Sequence, residues 1–312
     1  MPRKKISIIG AGRVGSTAAQ LCAYKELADI VLVNRTPEIA QGLALDLEES
    51  APIEEFDVSI TGTGDYADIK GSEIVCITAG AQRKEGMSRD ELLNVNAEIV
   101  KSASEQVKKY APNCKLIVVT NPLDAMVYVA KKVTKFPRER VMGMAGILDS
   151  TRFRTFIAME LGVSIEDASA LVLGGHGDFM VPLPDHSSVA GIPITELLPE
   201  NKIKKLIERT RKGGAEIIAL EKESSAYFAP ASSLVQMIEA ILKDKKMILP
   251  CAAYLQGEYG IKGIFMGVPV TLGSNGVEKI LELSLTKEEK QQLMQSAKAI
   301  RDLVCKIDEG VC

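Results

Sequence analysis

The chain contains only two histidines, His176 and His186, so acid–base chemistry through an imidazole has two candidates. An imidazole titrates near neutrality and can both take and return a proton at ordinary pH. His176 stands out because of its glycine-rich setting, Gly174-Gly175-His176-Gly177-Asp178. On its own, a lone histidine is more often a satisfied loop residue than a catalytic one. Asp149 and Arg152 are spaced so that, on a helix, they project from one face. Taken alone, this pair is also compatible with a surface ion pair. A third feature is Gly10-Ala11-Gly12-Arg13-Val14-Gly15, which follows the apolar run Ile6 to Ile9 and precedes the helical Ala18, Ala19 and Leu21. Strand, glycine turn and helix in that order let backbone approach a pyrophosphate and offer it the free N–H groups of a helix N-terminus. The alternative is a purely structural turn.

If the glycine turn holds a dinucleotide, the end of the second strand must meet its adenosine ribose. Asn34-Arg35-Thr36 stand there. An acidic side chain at this point would accept both ribose hydroxyls and repel a 2′-phosphate. Asn34 lacks that charge, Arg35 can form charge-assisted hydrogen bonds to phosphate, and Thr36 adds a hydroxyl. These residues favour NADP. In the alternative, Arg35 is a solvated surface charge and Asn34 holds the ribose of NAD.

The elements that would position these residues follow from the pattern of apolar runs. Short β-branched stretches at Ile6 to Ile9, Ile30 to Val33, Val58 to Ile60, Ile74 to Thr78, Leu116 to Thr120 and Val141 to Met144 alternate with helical periodicity such as Val95, Ile99, Val100, Ala103 and Val107. Strands separated by helices predict an α/β Rossmann fold, a doubly wound parallel sheet, over residues 1–145. Residues 146–312 are expected to form an α+β substrate domain. It would have helices at Ser150 to Leu161 and Lys202 to Leu220, a hairpin pairing Met247 to Leu255 with Ile264 to Leu272, and a C-terminal helix over Lys287 to Ile307.

With 46% apolar and 25% charged residues the composition excludes disordered and fibrous classes, and a net charge of −3 without a basic block argues against nucleic acid. The apolar run behind the basic start is too short for a signal or membrane segment, so a cytoplasmic protein with no membrane partner is expected. Cys22, Cys76, Cys114, Cys251, Cys305 and Cys312 are far apart in sequence. That spacing predicts reduced, mostly buried thiols and no metal site.

Five further motifs join the glycine turn. They are Thr78-Ala79-Gly80, Arg83-Lys84-Glu85-Gly86-Met87-Ser88-Arg89, Thr120-Asn121-Pro122-Leu123-Asp124, Leu148-Asp149-Ser150-Thr151-Arg152 and the His176 stretch. In order and spacing the chain resembles the lactate/malate dehydrogenase family over essentially its whole length, specifically its lactate-dehydrogenase-like malate dehydrogenases. The resemblance implies that His176 is the acid/base for the substrate hydroxyl, that Asp149 orients its ring, and that Arg152 clamps the substrate carboxylate. It implies that Asn121 binds the substrate oxygen and borders the nicotinamide. Thr78, Ala79, Gly80, Asn96, Val119 and Thr120 complete the candidate cofactor contacts.

The segment from Ala81 to about Leu93 resembles a loop that closes over the substrate, with Gly86 as a hinge and Arg89 polarising the carbonyl. Arg83 falls on the position that distinguishes substrates, where an arginine binds the second carboxylate of malate or oxaloacetate. With pyruvate in its place, a buried Arg83 would lack its anion, a defect of about 3 to 5 kcal/mol. The implied function is a malate dehydrogenase that prefers NADP(H) or uses both cofactors. The alternatives are a lactate or broad 2-hydroxyacid dehydrogenase with NAD and, outside enzymes, a nucleotide-binding scaffold. A homotetramer, or a homodimer, is implied by the same resemblance. Three departures from the family pattern are Asn34-Arg35 in place of the usual Asp and its apolar neighbour, Glu85 in place of Pro, and Ser224 in place of Gly.

Overall fold

The apolar segment Lys5–Ile9 forms β1, the strand on which the first half is organised. The computed structural model describes residues 3–82, 86–222, 225–308 and 310. After β1 the chain alternates α1 (Arg13–Tyr24), β2 (Asp29–Val33), α2 (Pro37–Glu54), β3 (Ile60–Thr63), β4 (Ile74–Ile77), α3 (Arg89–Tyr110), β5 (Lys115–Val118), α4 (Leu123–Thr134) and β6 (Val141–Gly143). These six strands are parallel and ordered β3-β2-β1-β4-β5-β6. The order reverses between β1 and β4. In a doubly wound sheet this switch point opens a crevice beyond the carboxyl ends of the strands, and Gly10 and Thr78 stand at those two ends.

The third strand differs from the expected Val58 to Ile60 and shares only Ile60 with it. Val58 is buried, but the neighbouring amides of Asp57 and Ser59 donate to the side chains of Glu26 and Asp29 rather than to a ladder. The ladder instead follows the apolar register of β2, pairing Ile30 with Ile60 through Val33 with Thr63. Gly62 within it lets α2 approach, since a Cβ there would come within 2.1 Å of the Ala40 carbonyl oxygen.

The second half comprises α5 (Gly146–Leu161), five two-residue strands β7 to β11 between Ala168 and Pro193, α6 (Ile194–Leu197), α7 (Glu200–Glu221), α8 (Phe228–Leu242), β12 (Met247–Gln256), β13 (Lys262–Gly273), β14 (Gly276–Ile280) and α9 (Lys287–Cys305). Its long antiparallel hairpin does not make a sheet of its own. β12 joins the edge of β6 through Ala252 opposite Gly143, so that nine strands form one continuous sheet. The hairpin covers a parallel edge that would otherwise present unpaired N–H and C=O groups. One apolar core accordingly runs from Ile6 in β1 to Val304 in α9, and a smaller one gathers Phe153, Ile157, Met180 and Leu206 around α5 and α7.

Among the described residues no helix is long and apolar enough to cross a membrane, and no cluster of His, Cys, Asp and Glu is arranged to hold a metal. Cys22, Cys76, Cys114 and Cys251 are buried free thiols. Burial pushes the Cys251 and Cys114 thiols up to about 12, so they are poor nucleophiles. Cys305 at the end of α9 is disulfide-bonded, which corrects the expectation of reduced thiols throughout.

Candidate active site

The glycine turn is shaped by two different constraints. A Cβ on Gly10, where φ is +114°, would lie 2.5 Å from the Ala79 nitrogen, and one on Gly15 would lie 2.0 Å from the Gly10 carbonyl oxygen. These two glycines are therefore required by the packing of the turn against the end of β4. Gly12 is different: a Cβ there would meet nothing within 4 Å. It is the N-cap of α1 and supplies no side-chain cap, so the first N–H groups of the helix remain available to an anion. Ala11 is buried beneath the turn. The Arg13 side chain reaches sideways, 3.8 Å from Glu221 and 5.4 Å from the centre of the Tyr227 ring, which leaves its backbone amide as its contribution to the cradle.

Around this cradle the candidate cofactor residues divide into those that build the walls and those that face outward. The Thr78 hydroxyl donates to the Gly10 carbonyl at 2.8 Å and the Thr120 hydroxyl to the Ala79 carbonyl at 2.6 Å. The Val119 amide donates to Ile77. Asn96 is buried, and its amide is fully engaged: Nδ2 donates to the carbonyls of Ala81 and Asn121, and Oδ1 accepts from the Ala81 amide at 2.7 Å. Asn96 thus holds the Ala81 and Asn121 segments together at the edge of the crevice, with both side-chain donors engaged within the protein. Gly80 and the Asn121 side chain lie at the surface of the crevice. Asn34 is half-buried, its amide donating to Thr63, and Arg35 and Thr36 are exposed at the start of α2. The guanidinium of Arg35 has no partner among the described residues. A dinucleotide fits this set: an uncapped helix N-terminus at the sheet switch point, an open approach at Gly12 and free polar side chains where the ribose would lie.

The second cluster is built from side-chain charge. α5 begins at Gly146, earlier than the expected Ser150, because Gly146 can pack closely between Pro250 and Val172. Asp149 and Arg152 share one face of this helix. One oxygen of Asp149 lies 2.9 Å from His176 Nδ1 and the other 3.4 Å from Arg152 Nη1, with the carboxylate almost wholly buried. Asp149 therefore fixes the orientation of the imidazole, leaving Nε2 as the ring atom open to proton exchange. Burial alone would lower the imidazole pKa. The charge and hydrogen bond of Asp149, aided by Asp124 and opposed by Arg152, outweigh burial and hold the ring above its ordinary value. Burial pulls the Arg152 guanidinium below its usual value, partly offset by Asp149.

The remaining donors of Arg152 have no partner among the described residues, so its fork is open to a carboxylate. Gly213 and Gly214 of α7 make room for it, with a Cβ on Gly213 falling 3.1 Å from Arg152 Cδ. This glycine pair lies outside every motif read from the sequence. Adjacent glycines inside a helix cost roughly 1 kcal/mol each relative to alanine, and that cost is a legible sign of close approach.

The loop expected from Ala81 to about Leu93 is shorter than that. Ser88 caps α3, accepting from the Glu91 amide while Glu91 accepts from the Ser88 amide. The Ser-x-x-Glu spacing of a capping box was available in the sequence. Arg89 is consequently the first residue of a helix. It is exposed and stands 3.8 Å from Asp178, just past His176. Gly86 has a φ of +81°, which suits glycine. Arg83 and Glu85 lie outside the described residues, as does Ser224.

Two family models match the chain: the lactate/malate dehydrogenase NAD binding domain over residues 4–143, and the lactate/malate dehydrogenase alpha/beta C-terminal domain over residues 147–311. The chain belongs to the lactate/malate dehydrogenase family. Among relatives in this family it is 56% identical to the malate dehydrogenase of Heliobacterium modesticaldum over 97% of this chain and 98% of that one. It is 54% identical to the malate dehydrogenase of Desulforudis audaxviator over 99% and 100%. The apo malate dehydrogenase of Picrophilus torridus superposes with a TM-score of 0.96 at 46% identity, covering 98% of both chains. A lactate dehydrogenase of Cryptosporidium parvum, complexed with lactic acid and β-nicotinamide adenine dinucleotide, superposes equally well, with a TM-score of 0.96 at 44% identity over 99% of each chain. The fold of this family is therefore common to both substrate specificities.

Proposed function

We propose that this chain is a malate dehydrogenase that catalyses reversible hydride transfer between malate and oxaloacetate and accepts NADP(H) in preference to, or alongside, NAD(H). The observation that carries the reading is the His176–Asp149–Arg152 cluster around the buried Asp149 carboxylate, with its 2.9 Å imidazole–carboxylate contact, in a chain whose glycine turn is shaped for a dinucleotide. When bound, the nicotinamide supplies or accepts the hydride. In the reducing direction protonated His176 donates from Nε2 to the carbonyl oxygen, and in the oxidising direction neutral His176 removes the hydroxyl proton. Asp149 holds the ring in the required tautomer and stabilises its charged form. Arg152 grips the C1 carboxylate, Asn121 hydrogen-bonds the reacting oxygen, and Arg89 polarises it when its segment closes. In this reading residues 1–145 form the dinucleotide-binding half and 146–312 the substrate half.

The choice of malate over lactate rests on Arg83, by resemblance, and on the malate dehydrogenases among the relatives. The choice of NADP rests on the unpaired, exposed Arg35 beside Asn34. Exposed apolar side chains on two helices, Leu45 and Ile53 of α2 and Ile218 and Leu220 of α7, support assembly into dimers and a homotetramer, which sedimentation would detect.

Steady-state rates with oxaloacetate and pyruvate, each with NADH and NADPH, test both choices together. Oxaloacetate should be preferred, and a preference for pyruvate would move the protein to the lactate reading. Arg83→Gln should raise the pyruvate-to-oxaloacetate ratio. Asn34→Asp combined with Arg35→Ile should shift the cofactor ratio toward NADH. An unchanged ratio in either variant would remove the corresponding assignment.

A further inference from the structure

Close to His176 lies a second buried carboxylate that the chemistry above does not use. Asp124 occupies the first turn of α4 and is 5% exposed. Its Oδ2 accepts the backbone N–H of His176 at 3.0 Å, and its Oδ1 is buried with no partner among the described residues. The preceding amide, that of Gly175, donates to Ser296 Oγ on α9 at 2.8 Å. Consecutive N–H groups of the glycine-rich stretch are thus taken by side chains from two different helices. Gly175 permits the approach, because a Cβ there would lie 3.0 Å from Ile300 and 3.2 Å from Asp124 Oδ2.

A carboxylate oxygen buried without a partner is costly. An asparagine could accept the same amide without introducing a charge. What the carboxylate adds is a negative charge close to the imidazole. The charged groups acting on the His176 ring are Asp149 and Arg152 from α5 and Asp124 from α4, and those acting on Asp124 are His176 and Asp149.

We infer that Asp124 is a positioning residue for proton transfer at His176, anchoring the loop through the backbone amide and, with Asp149, setting the pH range over which the imidazole is charged. The inference deepens the reading of His176 as the acid/base and rests on it. Burial pushes the Asp124 carboxyl up to about 7, opposed by the His176 amide and charge and reinforced by Asp149. Asp124 therefore titrates where an imidazole does. Two interacting groups in one range release their protons in overlapping macroscopic steps, so the His176 titration is broadened.

The test is an NMR pH titration of the imidazole resonances in the full-length protein without substrate. Because the chain has only two histidines, a His186→Gln variant assigns them. Asp124→Asn keeps the hydrogen-bond acceptor and removes the charge. The His176 midpoint should fall by about half a unit or more, and the curve should sharpen toward a single step. The alkaline limb of kcat/KM for oxaloacetate reduction should move down with it. Asp124→Ala, which also removes the acceptor, should lower kcat on the order of tenfold or more at unchanged cofactor affinity. A single-step His176 curve of ordinary slope in the unmutated protein would overturn the proposal even if neither variant folds. So would a midpoint in Asp124→Asn that stays within about 0.2 unit of the original. A midpoint that falls while the activity limb stays in place would support the electrostatic role of Asp124 and sink the assignment of His176 as the acid/base.

Discussion

The glycine turn and the His176 cluster are the two candidate ligand sites, and they obey different rules. The turn is a backbone device. Gly10 and Gly15 are demanded by contacts of 2.5 Å and 2.0 Å that a Cβ would make with neighbouring main chain, and the atoms left for a ligand are amides at the start of α1. The His176 cluster is a side-chain device in which Asp149 divides its two oxygens between an imidazole and a guanidinium, and helices from distant parts of the chain close around it. A site made of backbone tolerates changes of side chain but not of shape. A site made of buried charge tolerates small changes of shape but not the loss of one member, because the partner is then left buried and unpaired.

Substitutions can break this comparison at either end. The largest effect is expected from His176→Gln, which removes the proton donor but leaves the cofactor cradle intact. Reduction of oxaloacetate should slow by about 10² to 10⁴-fold in kcat while fluorescence titration finds NADPH or NADH bound as before. A weakened cofactor affinity would show that the two regions are not separable. Arg152→Lys keeps a charge but loses the planar fork, so kcat/KM for oxaloacetate should drop about 10- to 100-fold. A variant with wild-type kcat/KM would remove Arg152 from substrate binding.

On the backbone side the contrast lies between two glycines of one motif. Gly15→Ala forces a methyl group into the Gly10 carbonyl and should destabilise the protein by about 1 to 3 kcal/mol, seen as a lowered Tm. Gly12→Ala meets no protein atom, so Tm should hold while cofactor affinity falls. Equal thermal behaviour of the two variants would refute the distinction.

The smallest effect is a shift in pH. Reduction needs a charged His176, and Asp149 holds the imidazole above its ordinary value against burial. Reduction should therefore run at full rate below that raised pKa and decline as pH rises through it, with malate oxidation showing the opposite slope. Asp149→Asn should move both transitions to lower pH by about one unit or more, as measured from kcat/KM profiles. Transitions that stay in place would mean that Asp149 is not the group that tunes the ring.

The same contrast explains which features could be read in the sequence. The glycine turn, the strands that flank it and the alternation of the first half are contiguous signals of periodicity and turn chemistry, and they were legible at the level of single segments. His176, Asp149 and Arg152 were legible because their types and local motifs are distinctive. Asp124 belongs to the Thr120-to-Asp124 motif, but its place beside His176 is not legible there. Nothing in its neighbours shows that its oxygen accepts an amide from residue 176. That Asn96 ties Ala81 to Asn121 is likewise visible only in the fold, because the three residues are 15 and 25 positions apart in the chain. The third strand slipped because Val58 is apolar and buried without being hydrogen-bonded into the sheet.

By itself, then, the sequence determined the alternation of strands and helices that makes a parallel sheet, the glycine turn between the first strand and helix, and the helical spacing of Asp149 and Arg152, since each depends on residues close together in the chain. The tertiary structure decided the continuation of the sheet across both halves, the start of α5 at Gly146 rather than Ser150, and the meeting of Asp149 with His176. It also decided the anchoring of the His176 loop by α4 and α9. Those outcomes depend on close packing between segments far apart in sequence, such as Gly146 against Pro250 and Gly175 against Asp124, and local patterns carry no information about such contacts.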